Sequence, residues 1–335
     1  MILLERRVPY ILLALEALIR RISSNANDFE VEKYKNLYRR FKVGFDGESQ
    51  SDKEWIELRI PFEYSLIHNY ETQSEYGNNY QIDTIFLSKH FIWLLEIKNI
   101  SGILEYDEEK SQFVRKNFDN TIEGYSNPFE QIEKYTRLIQ RRLKNWEINI
   151  PIEKAIIVVK DSTIIGNMPK TIPTFHLSGL QSKLDKLSKR YPQASISDKQ
   201  YKELQKNLLE TYQRIVWRPG IDLSKINKGV LCISCNYKTV MRFKHGSFIC
   251  PVCKTKSQNA LIQTILDYKY LQSDWITNRE LREFLQIDSI YSVARLCNKL
   301  NFAYEGTYKN RKYKIEEYYE QPEDFVGNLV DVANI

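Results

Sequence analysis

Tyr80-Gln81-Ile82-Asp83-Thr84-Ile85-Phe86-Leu87 and Phe91-Ile92-Trp93-Leu94-Leu95-Glu96-Ile97-Lys98 are two apolar runs separated by Ser88-Lys89-His90. Their β-branched and aromatic content predicts two short strands joined by a turn. Strand side chains alternate between faces, so Glu96 and Lys98 project from one side, and a hairpin brings Asp83 near them. Two carboxylates and a lysine held together in apolar surroundings cost desolvation energy unless they bind something. Metal-assisted phosphodiester hydrolysis uses such a set: the carboxylates hold Mg²⁺, and the lysine steadies the attacking water or the developing charge. The bland alternative is an Asp83 that caps a turn beside a solvated Glu96–Lys98 pair.

Around this core, residues 1–60 read as mostly helical, with apolar positions at helical spacing over Ile2–Ile22 and Val31–Phe41. Gly44-Phe45-Asp46-Gly47-Glu48 reads as a break before another helical stretch near Asp52–Leu58. Strands are expected near Tyr64–Asn69, Ser101–Tyr106 and Phe113–Arg115. Asn127-Pro128 starts a helix to about Leu143, with proline where its missing N–H costs nothing. Ala155–Val159 is a continuous apolar run of the kind found in fully buried strands. Helices from about Leu177 to Trp217, broken at Tyr191-Pro192, close the domain, and Pro219-Gly220 marks a boundary.

Gln81-Ile82-Asp83, an apolar strand, then Leu95-Glu96-Ile97-Lys98-Asn99 followed by Gly102, resembles the NERD (nuclease-related) domain of the PD-(D/E)xK nuclease superfamily. Gly47-Glu48 looks like that family's glycine–glutamate motif, and Asn127-Pro128-Phe129-Glu130-Gln131 like its Asn-Pro-x-x-Gln motif. The resemblance covers about residues 40–160. It implies that Asp83 and Glu96 are metal ligands, Lys98 the catalytic lysine and Glu48 a third carboxylate delivered by a helix, with Gln131 beside the site. Tyr135 follows one turn later, a spacing similar to the DNA-contacting helix of RecB-like nucleases. Ile82 stands where the superfamily's proline would be.

Cys232-Ile233-Ser234-Cys235 and Cys250-Pro251-Val252-Cys253 are two C-x-x-C knuckles 14 residues apart. Four thiolates at this spacing can close a tetrahedral Zn²⁺ shell around a hairpin, which resembles a zinc ribbon. The zinc would be structural, giving folding energy that so short a segment cannot draw from a core. Disulfides are the competing reading, weakened by the fifth cysteine, Cys297, which reads as a helix core residue.

Downstream, Leu261–Leu271 gives an apolar helical face. Thr277 and Glu280 form a capping box, and Ser289–Leu300 is a third helix. Phe302–Tyr308 and Arg311–Ile315 read as two strands. Three helices and a hairpin look like a winged helix, with Ser289, Ser292, Arg295, Asn298 and Lys299 on the recognition helix and Lys309, Arg311 and Lys312 on the wing. Winged helices also serve protein–protein contacts.

Charge follows the same division. The net charge is +6, but residues 228–316 hold 15 Lys/Arg against 7 Asp/Glu, while 317–335 has five acids and no base. A basic C-terminal module on a nearly neutral body suits a nucleic-acid-binding appendage. The apolar run Val8–Leu15 is too short to span a bilayer and is interrupted by Glu16 and Arg20-Arg21, so an amphipathic helix packing on the nuclease domain is expected, in a cytoplasmic protein without membrane partners. The four histidines form no paired metal motif, and no G-x-S-x-G, phosphate-binding glycine loop or dinucleotide fingerprint is present.

The expected architecture is α/β: a PD-(D/E)xK nuclease-like mixed sheet flanked by helices over 1–227, a zinc ribbon over 228–257, a small winged-helix-like α+β domain over 258–318, and an acidic tail over 319–335. The expected function is Mg²⁺- or Mn²⁺-dependent hydrolysis of DNA, delivered by the zinc and winged-helix modules. The alternatives are a catalytically silent DNA-binding adaptor, or a nuclease subunit activated by a protein partner such as a helicase in a defence or repair complex.

Overall fold

The first strand of the main sheet falls where the sequence predicts helix. The computed structural model describes residues 1–22, 27–307 and 310–315; Lys309 and the acidic tail lie outside the described residues. Among the described residues of the amino-terminal two thirds, the strands are β1 (Ile2–Leu4), β2 (Tyr64–Gln73), β3 (Asn79–Ser88), β4 (Ile92–Lys98), β5 (Ile103–Asp107), β6 (Gln112–Lys116), β7 (Ile122–Tyr125), β8 (Ile152–Val158), β9 (Ile164–Ile165) and β10 (Thr174–His176). With them run the helices α1 (Tyr10–Arg21), α2 (Asp28–Glu57), α3 (Pro128–Asn145), α4 (Leu180–Arg190) and α5 (Asp198–Glu210).

The main sheet has the order β1-β2-β3-β4-β8-β10. It is mixed: β2, β3 and β4 form an antiparallel meander, while β1 joins β2, and β8 joins both β4 and β10, in parallel. The continuous apolar run at 155–159 is explained by this position, because β8 has a strand on each side and an apolar layer on each face. On one face Ile85, Leu87, Leu94, Ile156 and Val158 meet Ile132 and Ile139 of α3 and Leu204 and Leu208 of α5. On the other, Phe86, Trp93, Leu95 and Ile157 meet Trp55 of α2 and Leu180 and Leu184 of α4. A smaller sheet, β7-β6-β5-β9, extends from the end of β4. The residue opening it, Gly102, has φ +103°, and a Cβ there would lie 2.6 Å from the Lys116 carbonyl oxygen.

The predicted break at 44–48 does not occur. α2 runs unbroken through both glycines. Gly47 is there for space: a Cβ would sit 2.4 Å from the Cβ of Asn99, so its absence lets the helix approach the end of β4. Asn99 in turn donates to the Val43 carbonyl oxygen at 2.8 Å. A glycine costs about 1 kcal/mol in a helix interior, which is small beside the backbone displacement a side chain would force here.

The chain forms two compact units, Met1–Val8 with Lys42–Ile215, and Pro9–Phe41 with Val216–Ile335. The second contains β11 (Arg242–Lys244), β12 (Ser247–Ile249), α6 (Gln258–Leu271), β13 (Trp275–Thr277), α7 (Asn278–Leu285), α8 (Ile290–Lys299), β14 (Tyr304–Glu305) and β15 (Lys312–Lys314). α1 was expected against the nuclease domain; it packs instead in this second unit, its Tyr10, Ala14 and Leu18 sharing a core with Leu261 and Ile265 of α6. Arg20 and Arg21 both reach Asp267, at 2.8 and 2.6 Å, and Arg21 also donates to the carbonyl oxygens of Asn227 and Gly229. The capping box forms as expected, with Thr277 and Glu280 bonding reciprocally at the start of α7. β13, which sequence reasoning missed, pairs with β15 to give a three-stranded sheet in the order β13-β15-β14.

Candidate active site

Asp83 sits where two strands part. The β3–β4 ladder runs from Leu87 opposite Ile92 to Thr84 opposite Leu95, and Asp83 is the next residue along. Its side chain continues what the backbone stops doing: Oδ2 accepts from the Ile97 amide at 2.7 Å. β4 itself stays fixed beyond that point, because Glu96 and Lys98 remain in register with Ile156 and Val158 of β8. Asp83 and Glu96 are thereby carried on adjacent, rigid strands, and both are buried.

Lys98 Nζ donates to Glu96 Oε1 at 2.7 Å. The other oxygen, Glu96 Oε2, is buried and has no hydrogen-bond partner. Such an atom is costly unless something occupies the space beside it, and a carboxylate oxygen under the electrostatic influence of Asp83 is the donor a hard divalent cation takes. By donor chemistry, Glu96 Oε2 and the Asp83 carboxylate could hold a hard divalent cation.

Glu48 comes from the middle of α2, not from a helix start. Its Oε2 accepts from Arg6 Nη1 at 2.6 Å. Arg6 also pairs with Asp52 through Nε at 2.7 Å, and its Nη2 donates to the Asp83 carbonyl oxygen at 2.8 Å. Asp52 in turn lies 3.0 Å from His68 Nδ1, and the same ring nitrogen is 3.2 Å from Thr84 Oγ1. Arg6, Asp52 and His68 were all missed from sequence. Asp52 lies one turn after Glu48 on α2, a shared face that the expected break at 44–48 hides; Arg6 and His68 gave no local signal, being brought in by strand pairing.

The electrostatics describe an excess of negative charge. Burial, with Asp83 adding to it and Arg6 opposing, pushes the Glu48 carboxyl up to about 8. Burial and Asp83 push Glu96 up to about 7 against the pull of Lys98. Burial raises Asp83 as well, opposed by Lys98, the Ile97 amide and Arg6. Burial acts to lower the Lys98 ammonium, but Glu96 and Asp83 outweigh it and hold it above the ordinary lysine value. A pocket whose carboxylates resist ionising together gains most from a cation.

α3 closes the site from the β4–β8 face. Asn127 caps it, accepting from the Phe129 and Glu130 amides, and its own amide donates to Tyr106 Oη and the Ser111 carbonyl oxygen. That double duty accounts for asparagine in Asn-Pro-x-x-Gln. Gln131 Nε2 donates to Tyr135 Oη at 2.8 Å, leaving Gln131 Oε1 buried without a partner. Tyr135 is buried, and its hydroxyl is raised by burial first and then by Glu96 and Asp83. The structure thus gathers Asp83, Glu96, Lys98, Glu48, Gln131 and Tyr135 around one place.

In the second unit, the sulfurs of Cys232, Cys235, Cys250 and Cys253 all lie within 4.8 Å of one another. The Cys232–Cys253 and Cys235–Cys250 separations are 3.6 and 3.8 Å, close to the edge of about 3.8 Å that four metal–sulfur bonds of about 2.3 Å require in a tetrahedron. The β11–β12 hairpin joins the two knuckles. This is a four-cysteine metal-binding group. Arg295 and Lys299 are exposed on α8 and Lys312 is exposed on β15, whereas Arg311 is half-buried with its guanidinium 4.3 Å from the Tyr304 ring centre.

Residues 43–159 match the model of the nuclease-related domain, NERD. This segment is a NERD domain. An uncharacterized protein of Bacillus anthracis is 30% identical over 88 residues, which is 26% of this chain and 41% of the relative. The chain thus spans less than half the length of that relative. No solved structure gives a significant match. No helix among the described residues is long and apolar enough to cross a membrane.

Proposed function

We propose that the NERD segment is a divalent-metal-dependent deoxyribonuclease, with Asp83 and Glu96 as ligands of Mg²⁺ or Mn²⁺ and Lys98 as the catalytic lysine. The observation that carries this reading is the buried, unpartnered Oε2 of Glu96 beside Asp83 and the Lys98 ammonium. A divalent metal held by Asp83 and Glu96 would supply polarisation of the scissile phosphate and a lowered pKa for the attacking water. Lys98, protonated and tethered by Glu96, offers its remaining N–H groups to the water or to a non-bridging phosphate oxygen. Asp83, fixed by the Ile97 amide through one oxygen, keeps the other free to orient. Glu48, latched by Arg6, supplies the third carboxylate, and Gln131 presents its free carbonyl oxygen at the same site.

DNA is the favoured substrate because the C-terminal region has the features of a targeting appendage. Its helix and strand order, with β13 pairing β15 and β14 at the edge, supports the winged-helix reading. In that reading Arg295 and Lys299 face the groove and Lys312 the backbone. The four thiols are best filled by structural Zn²⁺, since a closed Cys₄ shell leaves no position for substrate.

The test is cleavage of single-stranded, duplex and plasmid DNA by purified protein with Mg²⁺ or Mn²⁺, alongside folded Asp83→Ala and Lys98→Ala variants. Metal-dependent cleavage abolished in both variants supports the assignment. DNA binding without cleavage would favour the silent adaptor or the partner-activated subunit, and cleavage surviving both substitutions would sink the site.

A further inference from the structure

Tyr135, the aromatic that the sequence offers for nucleic-acid contact, is buried, so a substrate strand entering this site needs another surface. The outer face of the same helix provides one. Lys134, Arg137, Arg141 and Lys144 recur at intervals of three and four and are all exposed, opposite the buried Ile132, Ile139 and Leu143. Ten residues of helix separate the first from the last, a length of about 15 Å. No acidic side chain forms an ion pair with any of the four among the described residues. An ordinary solvated face looks different: on α5 lysines alternate with acids, and Lys206 pairs with Glu210.

The second observation is an exposed aromatic set beside this stripe. Tyr76, at the tip of the β2–β3 hairpin, is 76% exposed, and the Arg141 guanidinium lies 5.9 Å from its ring centre. The tip is built to hold that ring out. Ser74 Oγ accepts from the Tyr76 and Asn78 amides, and Ser74 and Gly77 close the turn through the backbone. The hairpin is also fastened to α3: Arg142 donates to Tyr70 Oη at 2.6 Å, Thr72 Oγ1 at 2.7 Å and the Gln73 carbonyl oxygen at 3.0 Å. Hairpin and helix therefore form one rigid surface, with unpaired cations along it and a wet aromatic at its far end.

Resting on the nuclease reading above, we infer that this surface binds one unpaired nucleic-acid strand. Arg141, Arg137 and Lys134 follow its phosphates towards Asp83 and Glu96, and Tyr76 stacks on a base. Cations spaced along a helix neutralise consecutive phosphates whether the strand is paired or not. A stacking platform can be used only by a base freed from its duplex. Tyr76 therefore makes the site selective for single strands, overhangs or frayed ends.

The test uses the full chain in metal-free buffer, so that binding is read without cleavage. A fluorescent single-stranded 20-mer and the matching duplex are titrated against wild type, Tyr76→Ala and an Arg137→Ala/Arg141→Ala pair. A 5-iodouracil-substituted strand is photo-cross-linked, and the adducts are mapped by mass spectrometry. The expected result is a cross-link at Tyr76, a loss of about tenfold in single-strand affinity for Tyr76→Ala with duplex affinity almost unchanged, and a shallower salt dependence for the arginine pair. Cross-links confined to other residues, or equal losses on both substrates for Tyr76→Ala, would overturn the inference while leaving the nuclease reading standing. A wild type that binds neither substrate would also overturn the inference, and the nuclease reading would then be decided by the cleavage assay above.

Discussion

The Arg6 guanidinium holds the Glu48 carboxylate at 2.6 Å, and it does so from the segment after β1, ahead of the residues that match the nuclease-related domain. The same guanidinium touches Asp52 and the Asp83 main chain, so Glu48 and Asp83 share one latch. Arg6→Met should free Glu48 and weaken Mn²⁺ binding by about 10- to 100-fold, the usual cost of losing a partner that orients a ligand. Arg6→Lys keeps the charge without the fork and should recover part of the loss. Mn²⁺ titration followed by electron paramagnetic resonance, with thermal melts to exclude unfolding, checks both; equal affinity in all three proteins would refute the latch.

Lys98→Met should leave Asp83 and Glu96 in place and lower the cleavage rate by at least about a hundredfold, the typical scale for removing a proton donor or charge stabiliser at a reacting phosphate. Single-turnover rates together with metal affinity separate this outcome from a loss of metal. A variant with unchanged chemistry would return Lys98 to the role of a structural counter-ion for Glu96.

The raised carboxyls give a pH dependence whose sign is opposite to the usual one. Glu96 at about 7 and Glu48 at about 8 lie above their unfolded values near 4.5. The metal-free fold therefore prefers them protonated: their contribution is fully present below about pH 4.5 and is lost as pH rises through 7 to 8. A divalent cation binds the ionised forms, so its stabilisation grows over the same range and binding releases protons. Melting temperatures at pH 5.5, 7 and 8.5, with EDTA or with Mg²⁺, should diverge as pH rises. Parallel curves would contradict the cation site.

Removing zinc should affect the second unit first. Cys235→Ser, or a strong chelator, is expected to abolish protection of the β11–β12 hairpin in hydrogen exchange, with one zinc per chain found in the untreated protein by native mass spectrometry. A metal-free protein with an intact hairpin would mean that the thiols do not need an ion to hold their places.

Gly47→Val tests the close approach of α2 to β4. The added side chain meets Asn99 and should destabilise the first unit by about 1–3 kcal/mol, the range for overpacking. A melting temperature equal to that of wild type would show that the helix can retreat freely.

Much of this arrangement is legible in the sequence, because the decisive residues lie on elements with strong local signatures. The Asp83 and Glu96 strands, the Asn127 cap and the paired knuckles each combine a period or a spacing with a chemical requirement. The misreadings share a cause in long-range packing. Gly47 looks like part of a break because local propensity cannot register Asn99, far along the chain, which makes a glycine necessary there. β1 and β13, three residues each, are too short to carry a period, and exist because β2 and β15 offer them an edge. Arg6 is invisible for the same reason: nothing near it in sequence hints that a strand pairing will set it beside Glu48. α1 advertises an apolar face, but amphipathicity does not name the partner that covers it.

The position of β1 bears on how the protein should be handled. A fragment trimmed to 43–159 would keep every residue that the family resemblance marks as catalytic, yet it would lack β1, β10, α4, α5 and the arginine that secures Glu48. Its sheet would end in two raw edges, and its acidic pocket would face water without its internal cation. An inert preparation of that fragment would report the tailoring of the gene, not the chemistry of the protein.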